Sequence, residues 1–273
     1  MSFTEERLAV GPTSLLVLKG GSGRPVLVLH GEEGHEGWLA FHEALAEYAT
    51  VYAPSHPGYG HTEEPEWMTT VQHQAVFYHW FLQEAGLKSI DLVGVGIGGW
   101  IAASMAVLCD EPLRRLMLVG AAGIKPEQSE TLDIFVEAWP EVIRRSFHDP
   151  DNCPEYGRLY ANVNLNEFGG VREASRVMSC RMCFRPYMYD RALPGMLGKV
   201  RVPSLIVWGR QDQVIPLECA DLYRQAIPGA DVRIIEGCGH FAHLERPREL
   251  AALVHEFVSA DPHPRPLPEG EGI

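Results

Sequence analysis

Short, largely apolar runs that each stop at a turn constrain this chain most. They are Pro25 to Leu29, Ile90 to Val93, Leu116 to Val119, Leu205 to Trp208 and Val232 to Ile235. Runs this short and this apolar suit strands buried on both faces of a parallel sheet. Between them lie stretches with helical spacing: Trp38 to Tyr48, Val71 to Ala85, about 98–108, Pro216 to Ala226 and Arg246 to Val258. The helix over Val71 to Ala85 is expected to carry Phe77, Trp80 and Phe81 toward the core. Thr13 to Lys19 and Val51 to Pro54 add two further short strands. The alternation lapses over 124–198, which is helical and rich in aromatics. The expected fold is α/β, a doubly wound and mostly parallel sheet with a helical cap inserted before its last two strands. Residues 1–123 and 199–260 make the core, 124–198 the cap, and the Pro- and Gly-rich 261–273 a disordered tail.

The strand at 90–93 runs into Gly94-Val95-Gly96-Ile97-Gly98-Gly99 and then a helix. Two chemistries use such a turn. Gly94, Gly96 and Gly99 spell the G-x-G-x-x-G of dinucleotide binding. Gly94 and Gly98 frame the nucleophile elbow G-x-S-x-G, with Gly96 where the serine belongs. A dinucleotide site needs an acid closing the next strand, about 20 residues on. That strand ends Val119-Gly120-Ala121-Ala122-Gly123, and Asp110 and Glu111 precede it at the wrong end.

The elbow reading requires an oxyanion loop after an earlier strand, an acid after a later one and a histidine after the last. His30-Gly31-Glu32 follows Leu29, Asp212 follows the strand ending at Trp208, and His240 follows the strand ending at Ile235. All three stand in the required chain order.

With these motifs, and with Pro57-Gly58-Tyr59-Gly60, Gly98-Gly99-Trp100 and Gly209-Arg210-Gln211-Asp212, the chain resembles the α/β-hydrolase superfamily over roughly residues 10–259. It looks nearest to small bacterial esterases, lactonases and carbon–carbon bond hydrolases. The resemblance implies an oxyanion hole built from the backbone N–H groups of Ile97 and Glu32, with Asp212 orienting His240. The departure is Gly96, which leaves the nucleophile position vacant. A backbone oxyanion hole survives that loss, and glycine tolerates the elbow's positive φ.

Two functions follow. In the first, a His240–Asp212 dyad is a general base in a pocket roomy enough for water, driving attack on an ester, lactone or reactive carbonyl, or abstracting a proton. The superfamily includes cofactor-free members that lean on the histidine. In the second, the chain is a non-catalytic hydrolase-fold pseudoenzyme that binds a ligand or partner. In either case no cofactor and no metal is called for. Glu32 is expected to contribute only its backbone, with its carboxylate turned away from the oxyanion hole.

Cap aromatics Trp139, Phe147, Tyr156, Tyr160, Phe168, Phe184, Tyr187 and Tyr189 offer a roof for a small to medium apolar substrate, Trp139, Phe147 and Tyr187 foremost. His35 and His42 follow the oxyanion loop, where one of them is placed to line the pocket, but solvent exposure is the favoured reading; His243 reads as structural or on the surface. Cys180 and Cys183 make C-x-x-C without a second pair at metal spacing, so they read as packed cysteines. Cys238 is a weak alternative nucleophile.

The net charge of -13 argues against nucleic acid and anionic membrane surfaces. A small molecule is the expected partner, for a monomer or homodimer. The N-terminus lacks a signal-peptide pattern and the six cysteines form no disulfide framework, which points to the cytoplasm.

Overall fold

The computed structural model describes residues 2–164 and 170–260. The sequence places Phe168 and the tail over 261–273; both lie outside the described residues.

The elements run in chain order. Strands β1 (Phe3–Val10), β2 (Thr13–Gly21) and β3 (Arg24–Leu29) come first. Helix α1 (Ala40–Leu45), strand β4 (Ala49–Pro54), helix α2 (Val71–Glu84), strand β5 (Ile90–Val95), helix α3 (Ile97–Leu108) and strand β6 (Leu113–Val119) follow. The inserted segment holds α4 (Trp139–Arg145), a 3-10 turn at Pro150–Asn152, α5 (Pro154–Leu159), α6 (Val171–Cys183) and α7 (Leu193–Leu197). Strand β7 (Ser204–Gly209), helix α8 (Glu218–Ala226), strand β8 (Asp231–Ile235) and helices α9 (Ala242–Glu245) and α10 (Pro247–Ser259) complete it.

Among the described residues the strands form one eight-stranded sheet in the order β1-β2-β4-β3-β5-β6-β7-β8. Pairing is parallel from β4 across to β8, while β2 runs antiparallel to both β1 and β4. The alternation of side chains along each central strand explains the apolar runs. Leu27 and Leu29 enter the core with α2 and α3, whereas Val26 and Val28 enter the opposite core with Phe41 and Val254. Leu116 and Leu118 divide from Met117 and Val119 in the same way. Both faces are buried, so both sets of side chains are apolar.

Two expectations change here. The chain begins with a strand that the sequence reading did not place: β1 pairs with β2 from Phe3↔Gly20 to Val10↔Thr13. It is an edge strand whose Glu5, Glu6 and Arg7 face solvent, so it carries no alternating apolar signal, and its charges protect the edge. On α2, Phe77 and Phe81 are buried, but Trp80 is 39% exposed. Its ring packs against Trp67 on the surface instead.

Parallel strands joined through helices bring their C-terminal ends to one rim. His30, Gly96, Asp212 and His240, from the ends of β3, β5, β7 and β8, gather there.

Candidate active site

The elbow forms because glycine allows it. Gly96 caps α3 with φ 52° and ψ −120°, in the left-handed region where other residues are strained. Its amide donates to Val119 O at 3.0 Å, tying the turn to β6. Gly98 is pressed on the end of β3: a Cβ there would lie 2.3 Å from both the Leu29 and His30 carbonyl oxygens. The first turn of α3 and the loop after β3 are therefore in backbone contact.

That loop carries Glu32, and its side chain corrects the sequence reading. The carboxylate points inward, into the space that Gly96 leaves. Glu32 is only 1% exposed. Its Oε1 lies 2.8 Å from His240 Nε2, and its Oε2 accepts from the Ile97 amide at 3.4 Å. A Cβ built on Gly96 would lie 2.4 Å from Oε2. The nucleophile position is thus not a water-sized vacancy, because a carboxylate from the neighbouring loop fills it. The physical reason is charge pairing: a buried carboxylate needs donors, and Ile97 N–H and the imidazole supply them.

On the far side of the ring, His240 Nδ1 lies 2.7 Å from Asp212 Oδ2. Asp212 is held in turn by the amides of Val214 and Ile215, which donate to Oδ1 at 2.8 and 2.9 Å. The imidazole is therefore clamped between two carboxylates. Burial alone would push His240 down, but the charges and hydrogen bonds of Asp212 and Glu32 hold it well above its ordinary value. Burial likewise works to raise Glu32, but the His240 charge and hydrogen bond, helped by the amides of Glu32 and Ile97, leave it below the usual carboxylate range. The pairing thus favours the charged form of each partner. His240 and Asp212 meet as the sequence reading expects, but Nε2 faces the Glu32 carboxylate rather than open space.

A histidine network fixes the loop that delivers Glu32. His30 Nε2 accepts from the His56 amide at 3.0 Å, so its Nδ1 carries the proton and donates to Gly31 O at 2.8 Å. His56 Nε2 donates to His30 O at 2.9 Å, and its Nδ1 accepts from Tyr78 OH at 2.5 Å. Each bond sets the tautomer of the next ring. Burial keeps both rings neutral, with His56 lowered to about 3.

The other sequence candidates fall as follows. His42 is buried, not exposed, with Nδ1 accepting from Leu39 N at 3.2 Å; burial lowers it to about 3. His35 is partly buried, with Nε2 3.2 Å from Ala53 O. His243 is buried, its Nε2 3.1 Å from Glu33 Oε1 but not aligned for a hydrogen bond. Cys238 is buried and its thiol pushed up by that burial, which disfavours the thiolate a nucleophile needs. Cys180 and Cys183 are free thiols, Cys183 buried.

Phe147 reaches the histidine loop through an edge-on contact with Phe241 at 5.5 Å between ring centres. Tyr187 OH donates to Leu132 O and accepts from Ile134 N, so it ties down the inserted segment. Trp139 is buried with its indole N–H unpartnered and Arg176 over its ring. Among the described residues no cluster of three His, Cys, Asp or Glu has metal-ligand geometry.

The sequence could have pointed to Glu32. The chain carries an acidic residue in the oxyanion loop and a glycine at the nucleophile position. They are two halves of one arrangement.

Comparison with known proteins agrees with the fold. A family model described as alpha/beta hydrolase fold matches residues 24–247. The chain is similar to 2-hydroxy-6-oxo-6-(2'-aminophenyl)hexa-2,4-dienoic acid hydrolase of Metapseudomonas resinovorans, 27% identical over 94% of this chain and 92% of that protein. It is also similar to monoacylglycerol lipase ABHD6 of Homo sapiens, 27% identical over 87% of this chain and 77% of that protein. Among solved structures, a bacterial membrane phospholipase A superposes with a TM-score of 0.80 at 25% identity, over 94% of this chain and 86% of that one. The helical segment between β6 and β7, the elbow at Gly96 and the histidine after β8 all lie within the matched span, and the chain belongs to the alpha/beta hydrolase fold family.

Proposed function

We propose that this chain is a cofactor-free hydrolase that works without a serine, with Glu32, His240 and Asp212 as one acid–base unit, on a small to medium apolar substrate. Its relatives include a dienoic acid hydrolase and a monoacylglycerol lipase, which supports hydrolysis as the reaction class. One observation carries the serine-independent part: the Glu32 carboxylate stands at the attack position, bonded to His240 Nε2 on one side and Ile97 N on the other. Glu32 is the anionic oxygen at the point of attack. His240 donates the proton that a leaving oxygen needs and, once discharged, becomes the base. Asp212 holds the ring throughout.

The test is turnover of an ester, lactone and epoxide panel by wild type, Glu32→Gln and His240→Gln. Loss of about 10²- to 10⁴-fold in each variant is expected for groups that move protons in the reaction. Activity indifferent to both substitutions would sink the reading.

A second reading has its own observation. Glu32 Oε2 sits on the Ile97 amide, as a product carboxylate would, so the chain blocks its own oxyanion site. A non-catalytic, ligand-binding protein would then show saturable binding with no product after long incubation.

A further inference from the structure

The N-terminal end of the sheet, opposite the rim, holds charged groups whose hydrogen bonding is incomplete. Asp91 is the second residue of β5 and pairs in register with Val26, two positions after Arg24. Alternation along the strands puts Arg24 with Val26, and Asp91 with Val93, on the face that α10 covers. A strand rises about 3.3 Å per residue, so Asp91 lies roughly 17 Å down β5 from Gly96.

Asp91 is 1% exposed, and its Oδ2 accepts from the Arg114 guanidinium. Arg114 also donates to Val258 O at 3.0 Å, and Arg115 to Ala260 O at 2.7 Å, which fastens the end of α10. Among the described residues, Asp91 Oδ1 meets no donor, and the Nε groups of Arg114 and Arg115 meet no acceptor. Buried polar atoms are nearly always partnered, because losing water without a replacement bond is costly. Three orphaned atoms in one cluster therefore call for a partner from outside the chain.

A cavity of about 450 Å³ opens beside this cluster, lined by Arg24, Val26, Tyr48, Asp91, His255 and Val258 among others. That size suits a small molecule. The Tyr48 and His255 rings, 4.1 Å between centres, form an aromatic wall, and Tyr48 OH is fixed by donating to Ala251 O. Val26 and Val258 add apolar surface. Arg24 is exposed and has no hydrogen bond or ion pair among the described residues.

We infer that this cavity is a second small-molecule site, and that it takes an aromatic α-hydroxycarboxylate. The carboxylate binds Arg24, the hydroxyl donates to Asp91 Oδ1, and the ring packs on Tyr48 and His255. Charge selects the anion: Arg24, Arg114 and Arg115 all act on the single carboxylate of Asp91, so positive charge is in excess here although the chain as a whole carries -13. A cation would meet three arginines. An anion without a hydroxyl would leave Oδ1 bare, and an inorganic anion would leave the aromatic wall uncovered. No rim residue takes part, so the site stands apart from the hydrolase reading.

The experiment is a titration of the intact chain with phenyllactate, followed by ¹H–¹⁵N NMR. Saturable shifts are expected at the amides of Arg24, Asp91 and His255, with none at Ile97 or His240. Phenylpropanoate, which lacks the hydroxyl, and phenylethanol, which lacks the carboxylate, should each bind about 10-fold more weakly. Arg24→Gln should melt like wild type and bind phenyllactate about 10-fold more weakly. Absence of any saturable shift at about 10 mM phenyllactate would overturn the site. Equal affinity for the three compounds, or for wild type and Arg24→Gln, would overturn the ligand class. Shifts centred on Ile97 and His240 would overturn the location. None of these failures touches the reading of the rim.

Discussion

His240 and Glu32, 208 positions apart in sequence, meet through Nε2 and Oε1 at 2.8 Å with both side chains shut away from solvent. The contact sets a carboxylate against one ring nitrogen while Asp212 holds the other, and together the two carboxylates favour the charged form of the histidine. Its net energetic effect is modest because desolvation opposes attraction, but removing one partner leaves the other exposed to the full cost of burial.

Substituting Glu32 by glutamine keeps the shape and deletes the charge. His240 then loses one of the two anions that raise it, so its titration moves to lower pH. Imidazole ¹⁵N chemical shifts should show the doubly protonated ring persisting above neutrality in wild type and giving way earlier in the variant. The folded state should lose about 1–3 kcal/mol, as expected when a buried charged hydrogen bond is weakened. Identical titration in both proteins would mean that the contact does not exist in solution.

Gly96→Ser alone should not restore a serine hydrolase. The new Cβ falls 2.4 Å from Glu32 Oε2, on a backbone already in the left-handed region. The single variant should be destabilised by about 1–3 kcal/mol and silent toward p-nitrophenyl acetate. Combining it with Glu32→Gly should relieve the clash and give a p-nitrophenolate burst. The two substitutions should be strongly non-additive in stability, since their sites touch. Equal esterase activity in the single and double variants would show that Glu32 is not in the way.

Stability should fall on both sides of neutrality. Burial depresses His35 to about 4 and His42 and His56 to about 3, and lowers His30 well below its ordinary 6.5. A depressed histidine stabilises the fold above its unfolded value and loses that contribution as pH falls toward the folded value. Each can add a slope of up to about 1.4 kcal/mol per pH unit below pH 6.5. Glu32, lowered from 4.5, adds a further loss below that pH. His240 works in the opposite sense: raised above 6.5, it stabilises fully below 6.5 and loses its contribution as pH rises through its folded value. Thermal melts across pH should show this, and His42→Leu should flatten the acid limb. An acid limb unchanged in that variant would point to other groups.

Tyr78→Phe removes the donor to His56 Nδ1 and leaves a buried nitrogen without a partner. A loss of about 1–3 kcal/mol is expected. Because His56 also donates to His30 O, the loop bearing Glu32 should loosen, seen as faster amide hydrogen exchange over residues 30–34. Unchanged exchange there would separate this network from the positioning of Glu32.

The sheet was legible because its central strands are buried on both faces, which forces apolar runs such as Val26 to Leu29 and Leu205 to Trp208. The rim residues were legible because their chain order is set by topology. What escaped depends on contacts between distant segments. β1 is solvated and charged, so only its pairing with β2 reveals it. Trp80 and His42 exchanged places with expectation, one outside and one inside, because neighbours rather than residue type decided their burial. Glu32 was misread because its direction depends on the absence of an atom at Gly96, 64 positions later.

The close approach at Gly96 also makes two side chains mutually exclusive. A chain with a side chain at position 96 has no room for the Glu32 carboxylate where it now lies. A side chain at position 96 and an inward Glu32 are therefore alternatives, and whichever is present takes the space beside the Ile97 amide and His240 Nε2.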